Sequence, residues 1–270
     1  MTRFVVVPQW QGSPAARAML LTDGASAIAG DLPRAHTTVL DIPLEAGDTE
    51  GTAVQRLSSL RRIRALVEDA VRTANEPVVA IGGDCGVSVG AIGALPGALD
   101  DVALIWCDAH PDLHTPATSP SGAYSGMALR AALGDPDSPL PGRAGLSPDR
   151  VILVGARVAE DAEEDHLTGS GITRVDDLTS PDVLAHAVAA TGAARVYVHI
   201  DVDVIDPAEF AGVSAPAPFG IAVADLVAAL RAVRARAPIA GATIAGFAPR
   251  SPVAAVDDLG AVLRLIGAVA

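Results

Sequence analysis

The chain of 270 residues contains no lysine, because all 19 of its basic residues are arginine. Such a protein cannot form a Schiff base through a lysine amine or place a P-loop lysine against a nucleotide phosphate. Basic residues are also outnumbered: 32 acidic residues bring the formal net charge to −13 at pH 7. This charge argues against nucleic acids, anionic membrane surfaces and other polyanions as partners.

Cysteine is scarce as well, with only Cys85 and Cys107. Two cysteines make no disulfide framework, so we expect a reducing, cytoplasmic location. The first apolar run, in "MTRFVVVPQW", is ended by Pro8 and Gln9 and is too short for a signal peptide. No uninterrupted apolar run reaches the length that spans a membrane, so we expect no membrane partner.

Short β-branched runs alternate with longer segments of helical periodicity. Apolar strands that alternate with helices are typical of a mostly parallel sheet covered on both faces, and the lack of a linker predicts one α/β domain over residues 1–270. We predict strands at 4–7, 37–42, 78–81, 102–107, 151–155, 196–202 and 242–247, and helices at 54–71, 181–190, 224–236 and 257–268. The long irregular segment 111–124 is expected to be a functional loop.

Acidic residues follow two of the apolar strands in a regular pattern. "WCDAHPD" ends the fourth predicted strand with Asp108, His110 and Asp112, and "HIDVD" ends the sixth with Asp201 and Asp203. Side chains alternate along an extended chain, so each set can point the same way, and the carboxyl ends of parallel strands meet at one crevice. Four carboxylates together repel one another unless cations bind them. The pattern therefore predicts a dinuclear site for hard or borderline divalent ions, Mn²⁺ above all.

Simpler interpretations suit several neighbouring residues. Asp206, before Pro207, is expected to form a turn, and Asp84 to order its own glycine-rich turn. His199 lies mid-strand among apolar residues and is expected to be a satisfied core histidine. Cys107 is expected to be a buried small hydrophobe.

Four motifs, "GGDC", "DAHPDLHTP", "SGAYSGM" and "HIDVDVIDP", resemble in order and separation the signatures of the arginase–agmatinase (ureohydrolase) family. The resemblance covers about residues 78 to 250. It implies a three-layer α/β/α fold with a mostly parallel eight-stranded sheet, two Mn²⁺ ions per chain, hydrolysis of a guanidino group and a possible homo-oligomer. By position, one ion would take Cys85, Asp108, Asp112 and Asp201. The other would take Asp108, His110, Asp201 and Asp203.

Cys85 departs from the family pattern, because it stands where family members usually carry the histidine of "GGDH". Its thiolate is the expected metal ligand, since a bound metal removes the thiol proton. The alternative is that Cys85 is merely buried and one ion is missing.

The predicted catalytic and substrate-binding residues also come from the resemblance. Asp112 would orient the nucleophilic hydroxide, and Ser125 aligns with the loop histidine that is thought to shuttle protons in the family. Gly246 aligns with the acid that pairs with the substrate guanidinium. The positions that bind the α-carboxylate and α-amino groups of an amino-acid substrate are retained as His114, Ser121, Glu160 and Glu163.

The missing acid at Gly246 suggests a substrate whose headgroup is not a strong cation. An N-hydroxy group makes a guanidine far less basic than arginine's guanidinium, so it needs no carboxylate partner. The resemblance is closest to the branch of the family that cleaves Nω-hydroxy-L-arginine to L-ornithine and hydroxyurea in antibiotic biosynthesis. Two alternatives stay open: a urea-releasing arginase or agmatinase, and a non-catalytic homologue that keeps its metal.

Overall fold

A computed structural model describes residues 2–270 of the chain. It contains one eight-stranded sheet whose strands are β1 (Arg3–Val6), β2 (Thr37–Val39), β3 (Val78–Ile81), β4 (Val102–Cys107), β5 (Val151–Val154), β6 (Thr173–Val175), β7 (Arg195–Asp201) and β8 (Ile239–Ala245). Their order is β2-β1-β3-β8-β7-β4-β5-β6, and every pairing among these strands is parallel.

Helices cover both faces of this sheet. They are α1 (Leu20–Asp31), α2 (Leu57–Thr73), α3 (Val87–Gly93), α4 (Ala128–Ala132), α5 (Asp161–Leu167), α6 (Asp182–Ala190), α7 (Val223–Arg234) and α8 (Pro252–Val269). Alternate residues of the six strands between the two edge strands enter two separate apolar clusters, one packed mainly with α1, α6, α7 and α8 and the other mainly with α2, α3 and α4. The expected three-layer α/β/α fold is confirmed. No helix within residues 2–270 combines the length and apolarity needed to cross a bilayer.

The predicted strands all correspond to strands of the sheet, and the sequence missed only β6. This strand has three residues, two of them exposed, at the sheet edge, so it lacks an apolar run. The strand predicted at 242–247 ends at Ala245, because Gly246 has φ +81° and leaves the extended conformation. Among the helices that the sequence missed, α3 reads "VSVGAIG" and is buried on nearly all sides, so it has no polar face to reveal its period.

Strand order places the functional segments side by side. The chain passes from β3 across β8 and β7 to form β4, which makes a topological switch point between them. Ligands of open parallel sheets bind in the crevice at such a point, outside the carboxyl ends of the strands. Segments that are far apart along the chain therefore meet at this edge.

Candidate metal centre

A cavity of about 810 Å³ lies at the carboxyl ends of β3, β4, β7 and β8. Its wall includes every residue that the sequence predicts for the site, the ligands at its base and the substrate-binding candidates around them. Irregular segments complete the wall, in particular residues 119–126 and 213–216. The structure therefore brings the predicted residues together in one place.

Cys85, Asp108 and Asp112 form one group of possible ligands together with His199. The four ligand atoms lie within 4.8 Å of one another, and all four residues are buried. Cys85 Sγ is 3.5 Å from Asp108 Oδ2 and 3.2 Å from Asp201 Oδ2. Asp201 therefore lies beside this group, although the same distance limit does not include it.

Asp108, His110 and Asp203 form a second group within the same limit. His110 Nδ1 is 3.0 Å from Asp203 Oδ2 and 3.4 Å from Asp108 Oδ1. Asp108 is common to both groups, which is the position that a ligand bridging two ions must occupy.

Tight turns, rather than the alternation of an extended strand, bring these carboxylates together, and in this the sequence-based argument was wrong. After β4, the His110 N–H donates to Asp108 Oδ1 at 2.7 Å, and after β7, the Asp203 N–H donates to Asp201 Oδ1 at 3.0 Å. Asp112 has φ +54°, a left-handed conformation that is uncommon outside glycine and concentrates at functional sites. The carboxylates thus order the backbone that presents them.

The uncompensated charge of the cluster shifts several pKa values. Burial first, and neighbouring carboxylates second, raise the pKa of Asp112, Asp201 and Asp203. The same two causes raise the pKa of the Cys85 thiol. Burial opposes protonation of His110, but contacts with Asp108 and Asp203 prevail and raise its pKa to about 12. The cluster therefore retains protons near neutral pH that a cation would displace.

Two buried atoms of the cluster, Asp112 Oδ2 and His199 Nε2, have no hydrogen-bond partner. Buried polar atoms are nearly always paired, and unpaired acceptor atoms among carboxylates are suited to bind a cation. Carboxylate, imidazole and thiol together suit divalent cations of the first transition row. The residues fit a metal centre, with candidate ligands enough for two ions.

The two glutamates predicted to bind the amino-acid end of the substrate differ in exposure and in hydrogen bonding. Glu163 is buried; its Oε1 accepts from the Leu113 N–H and its Oε2 from the Glu160 N–H, both at 3.0 Å. Glu160 has 57% of its side chain exposed, and its Oε2 lies 3.5 Å from His114 Nε2. Glu160 is exposed and its carboxylate also caps the start of α5, whereas Glu163 is buried and holds the backbone.

The two serines lie on the loop that forms one side of the cavity. Ser121 Oγ accepts from the Ala123 N–H at 3.2 Å, and the Ser125 N–H donates to the Gly12 carbonyl at 3.0 Å. Both residues line the cavity. A serine hydroxyl does not titrate near neutral pH, so Ser125 cannot exchange protons as an imidazole does.

The simpler interpretations are confirmed for two aspartates. Asp84 accepts from the Gly86 N–H at 3.0 Å and from Gln9 and Gly12 at 2.9 Å, which orders its turn. Asp206 accepts from the Ala208 and Gly220 N–H groups at 2.9 Å. Cys107 is likewise fully buried within one of the apolar clusters.

The sequence reasoning missed three residues at the site, one in the ligand group and two in the cavity wall. His199 is fully buried, but it is not a satisfied core histidine, since its Nε2 has no partner. The available signal was its position two residues before Asp201, which puts both on one face of β7. Arg17 and Arg250 also line the cavity and are exposed. No sequence motif marked them.

A parallel α/β/α sheet with clustered carboxylates and an imidazole at its switch point defines an α/β protein with a candidate metal centre. The chain belongs to the arginase family, hydrolases that act on guanidino or amidino groups: residues 23–261 match that family. It is 30% identical over 212 residues to an arginase of Bacillus caldovelox, covering 70% of this chain and 71% of that protein.

Two further relatives extend this comparison. An Nω-hydroxy-L-arginine amidinohydrolase of Streptomyces lavendulae is 30% identical over 230 residues, covering 83% of this chain and 80% of that protein. The crystal structure of Entamoeba histolytica arginase in complex with L-ornithine superimposes with a TM-score of 0.84 at 21% identity, over 98% of both chains. The last comparison establishes the fold.

Proposed function

We propose that this protein hydrolyses Nω-hydroxy-L-arginine to L-ornithine and hydroxyurea at a centre of two Mn²⁺ ions. The observation that carries the substrate is Gly246, which provides no carboxylate at the family position that pairs with a guanidinium. The similarity to the Streptomyces lavendulae amidinohydrolase supports the same substrate.

Gly246 lies at the base of the cavity, directly after β8. A Cβ atom on this glycine would lie 2.0 Å from Asp201 Oδ1, so the observed backbone has no room for a side chain there. A substrate guanidinium placed against Gly246 would lose hydration without gaining a charge partner. A hydroxyguanidine is a much weaker base, and in its neutral form it avoids that cost.

The proposed ligands of the ions are Cys85, Asp108, His110, Asp112, Asp201 and Asp203. When bound, the ions supply positive charge to the carboxylate cluster and lower the pKa of water to near neutrality. The preference for Mn²⁺ rests on the majority of oxygen ligands.

The chain's own residues then position the substrate and move protons. Glu160 binds the α-amino group, and His114 and Ser121 bind the α-carboxylate. The hydroxyguanidine carbon gains the oxygen of water and loses its bond to the side-chain nitrogen of ornithine. Asp112 accepts one proton from the attacking water and passes it to that leaving nitrogen, with Ser125 beside the path. The second proton of the water moves to the nitrogen that carries the hydroxyl group, which completes hydroxyurea.

A second candidate is a urea-releasing arginase, which the similarity to the Bacillus caldovelox enzyme favours. The two substrates differ in the charge of the headgroup. Arginine's guanidinium needs a carboxylate partner at residue 246, whereas a neutral hydroxyguanidine does not. A homo-oligomer and a cytoplasmic location remain predictions from the sequence.

The test compares kcat/KM for Nω-hydroxy-L-arginine, L-arginine and agmatine with saturating Mn²⁺, with hydroxyurea and urea identified by mass spectrometry. We expect the hydroxylated substrate to be preferred by roughly 100-fold or more, which is the cost of an unpaired buried charge. The Asp108→Asn variant, purified in parallel, measures contaminating host activity. Equal turnover of arginine would replace the proposal with arginase, and no turnover above that background would leave a non-catalytic homologue.

A further inference from the structure

His199 occupies a position that connects the buried sheet to the metal centre. It lies on β7 opposite Trp106 of β4, and the two rings stack with centroids 3.7 Å apart at an angle of 23°. Both residues are fully buried. Because side chains alternate along a strand, His199 lies on the same face of β7 as Asp201, two residues earlier in the strand. Trp106 has the same relation to Asp108 at the end of β4.

One ring nitrogen of His199 is held and the other is free. Nδ1 lies 2.7 Å from Ser88 Oγ, at the start of α3. Nε2 is buried, has no hydrogen-bond partner and lies 3.7 Å from Asp108 Oδ2, which is too far for a hydrogen bond. If the Nδ1–H donates to the serine hydroxyl, the lone pair of Nε2 faces the cluster. This is the usual state of an imidazole that binds a metal, with its second nitrogen oriented by a neighbour.

The free nitrogen also lies among the right atoms. His199 Nε2, Cys85 Sγ and carboxylate oxygens of Asp108 and Asp112 are all within 4.8 Å of one another. Ligands at about 2.0–2.3 Å from a common ion are separated by at most about 4.6 Å, so small side-chain rotations bring all four into contact with one ion.

We propose that His199 Nε2 is a ligand of the ion held by Cys85, Asp108 and Asp112. After β3, Cys85 stands in place of the family's histidine, so one imidazole is absent there. His199 on β7 would supply an imidazole instead, so this ion would keep a nitrogen ligand and gain a thiolate. Nitrogen and sulfur together shift the preference of this one site towards Zn²⁺ relative to Mn²⁺. The inference rests on the proposed metal centre but not on the proposed substrate.

A spectroscopic test identifies the nitrogen directly. In His110→Asn the other candidate imidazole is gone, so pulsed EPR of that variant with both sites loaded with Mn²⁺ reports whether the His199 imidazole binds. We expect a directly coordinated ¹⁴N signal, and we expect its loss in His110→Asn/His199→Gln. Bound Mn²⁺ without a coordinated nitrogen in His110→Asn would overturn the inference.

Metal content provides a second measurement. His199→Gln in the otherwise unchanged chain should bind one ion fewer per chain after gel filtration, and its circular dichroism should match the parent. His186→Gln, on the exposed surface of α6, is the control and should keep the full content. If His199→Gln keeps the full content, His199 is a core residue; if it does not fold, the EPR result decides. A protein that binds metal through His199 but does not cleave hydroxyarginine would overturn only the substrate proposal.

Discussion

Gly246 is required at its position for two separate reasons. Its φ of +81° is strained for any residue with a Cβ, and that Cβ would collide with the Asp201 carboxylate. The sequence comparison showed only that an acid was absent at this position. The structure shows that the space where a side chain of residue 246 would lie is occupied by the carboxylate of Asp201, a candidate metal ligand.

We therefore expect Gly246→Ala to lose both stability and metal affinity. A left-handed alanine costs about 1–2 kcal/mol, which lowers the Tm by about 2–8 °C in a chain of this size. Gly192→Ala is the matched control, because Gly192 has φ +67° and nothing within 4 Å of its Cβ position. Thermal melts and metal analysis separate the two effects. Equal metal content in both variants would contradict the predicted collision with Asp201.

At the scale of elements, the start of α5 is tied to the loop that follows β4. Glu163 joins them, because one of its oxygens accepts from Leu113 and the other from Glu160, at the first turn of the helix. Leu113 directly follows the candidate ligand Asp112, so this bond helps to hold Asp112 in its left-handed conformation. The two glutamates that the sequence treated alike thus have different environments.

Glu160→Gln and Glu163→Gln should consequently separate binding from stability. Glu160→Gln removes an exposed charge and should raise KM about 5- to 10-fold, with kcat and Tm nearly unchanged. Glu163→Gln turns an amide donor towards a backbone N–H, which costs about 1–3 kcal/mol and lowers the Tm. Steady-state kinetics and thermal melts on both variants provide the measurement. The interpretation fails if Glu160→Gln melts lower than Glu163→Gln.

At the scale of the whole molecule, an acidic chain gathers four carboxylates at one edge of its sheet. Burial and repulsion between neighbouring carboxylates raise the pKa of three of them, Asp112, Asp201 and Asp203, and favour their protonated forms. Metal ligands bind only when deprotonated, so cations must displace these protons and the one on His110. Raising the pH removes the protons in advance. We therefore expect metal affinity to rise with pH.

We expect the apparent Kd for Mn²⁺ to fall by at least about tenfold per pH unit between pH 6 and 8, one factor of ten for each proton displaced. Titration calorimetry in two buffers of different ionisation enthalpy counts the released protons. Asp108→Asn serves as the control with an impaired site. A pH-independent Kd without proton release would mean that the pKa of the cluster is not raised in the metal-free protein.

Much of the fold was predictable because strands with apolar runs and helices with one polar face can be recognised from the spacing of apolar residues in the sequence. β6 lacked an apolar run, and α3 lacked a polar face. In the site, the motif residues were predictable because they stand at strand ends. The turns that orient Asp203 and Asp112 were not. The first depends on a hydrogen bond to the Asp201 carboxylate, and the second has a left-handed backbone beside a bond from Leu113 to the distant Glu163.

The sequence by itself determined the family, the alternation of strands and helices, and the carboxylates at the strand ends, because each is a local pattern of residue types. Only the tertiary structure decided that His199 Nε2 lies unpaired beside Cys85, Asp108 and Asp112, and that a Cβ at Gly246 would meet Asp201. Both depend on strand order, in which β8 and β7 stand between β3 and β4. Contacts between such distant segments arise from long-range packing, which no local pattern encodes.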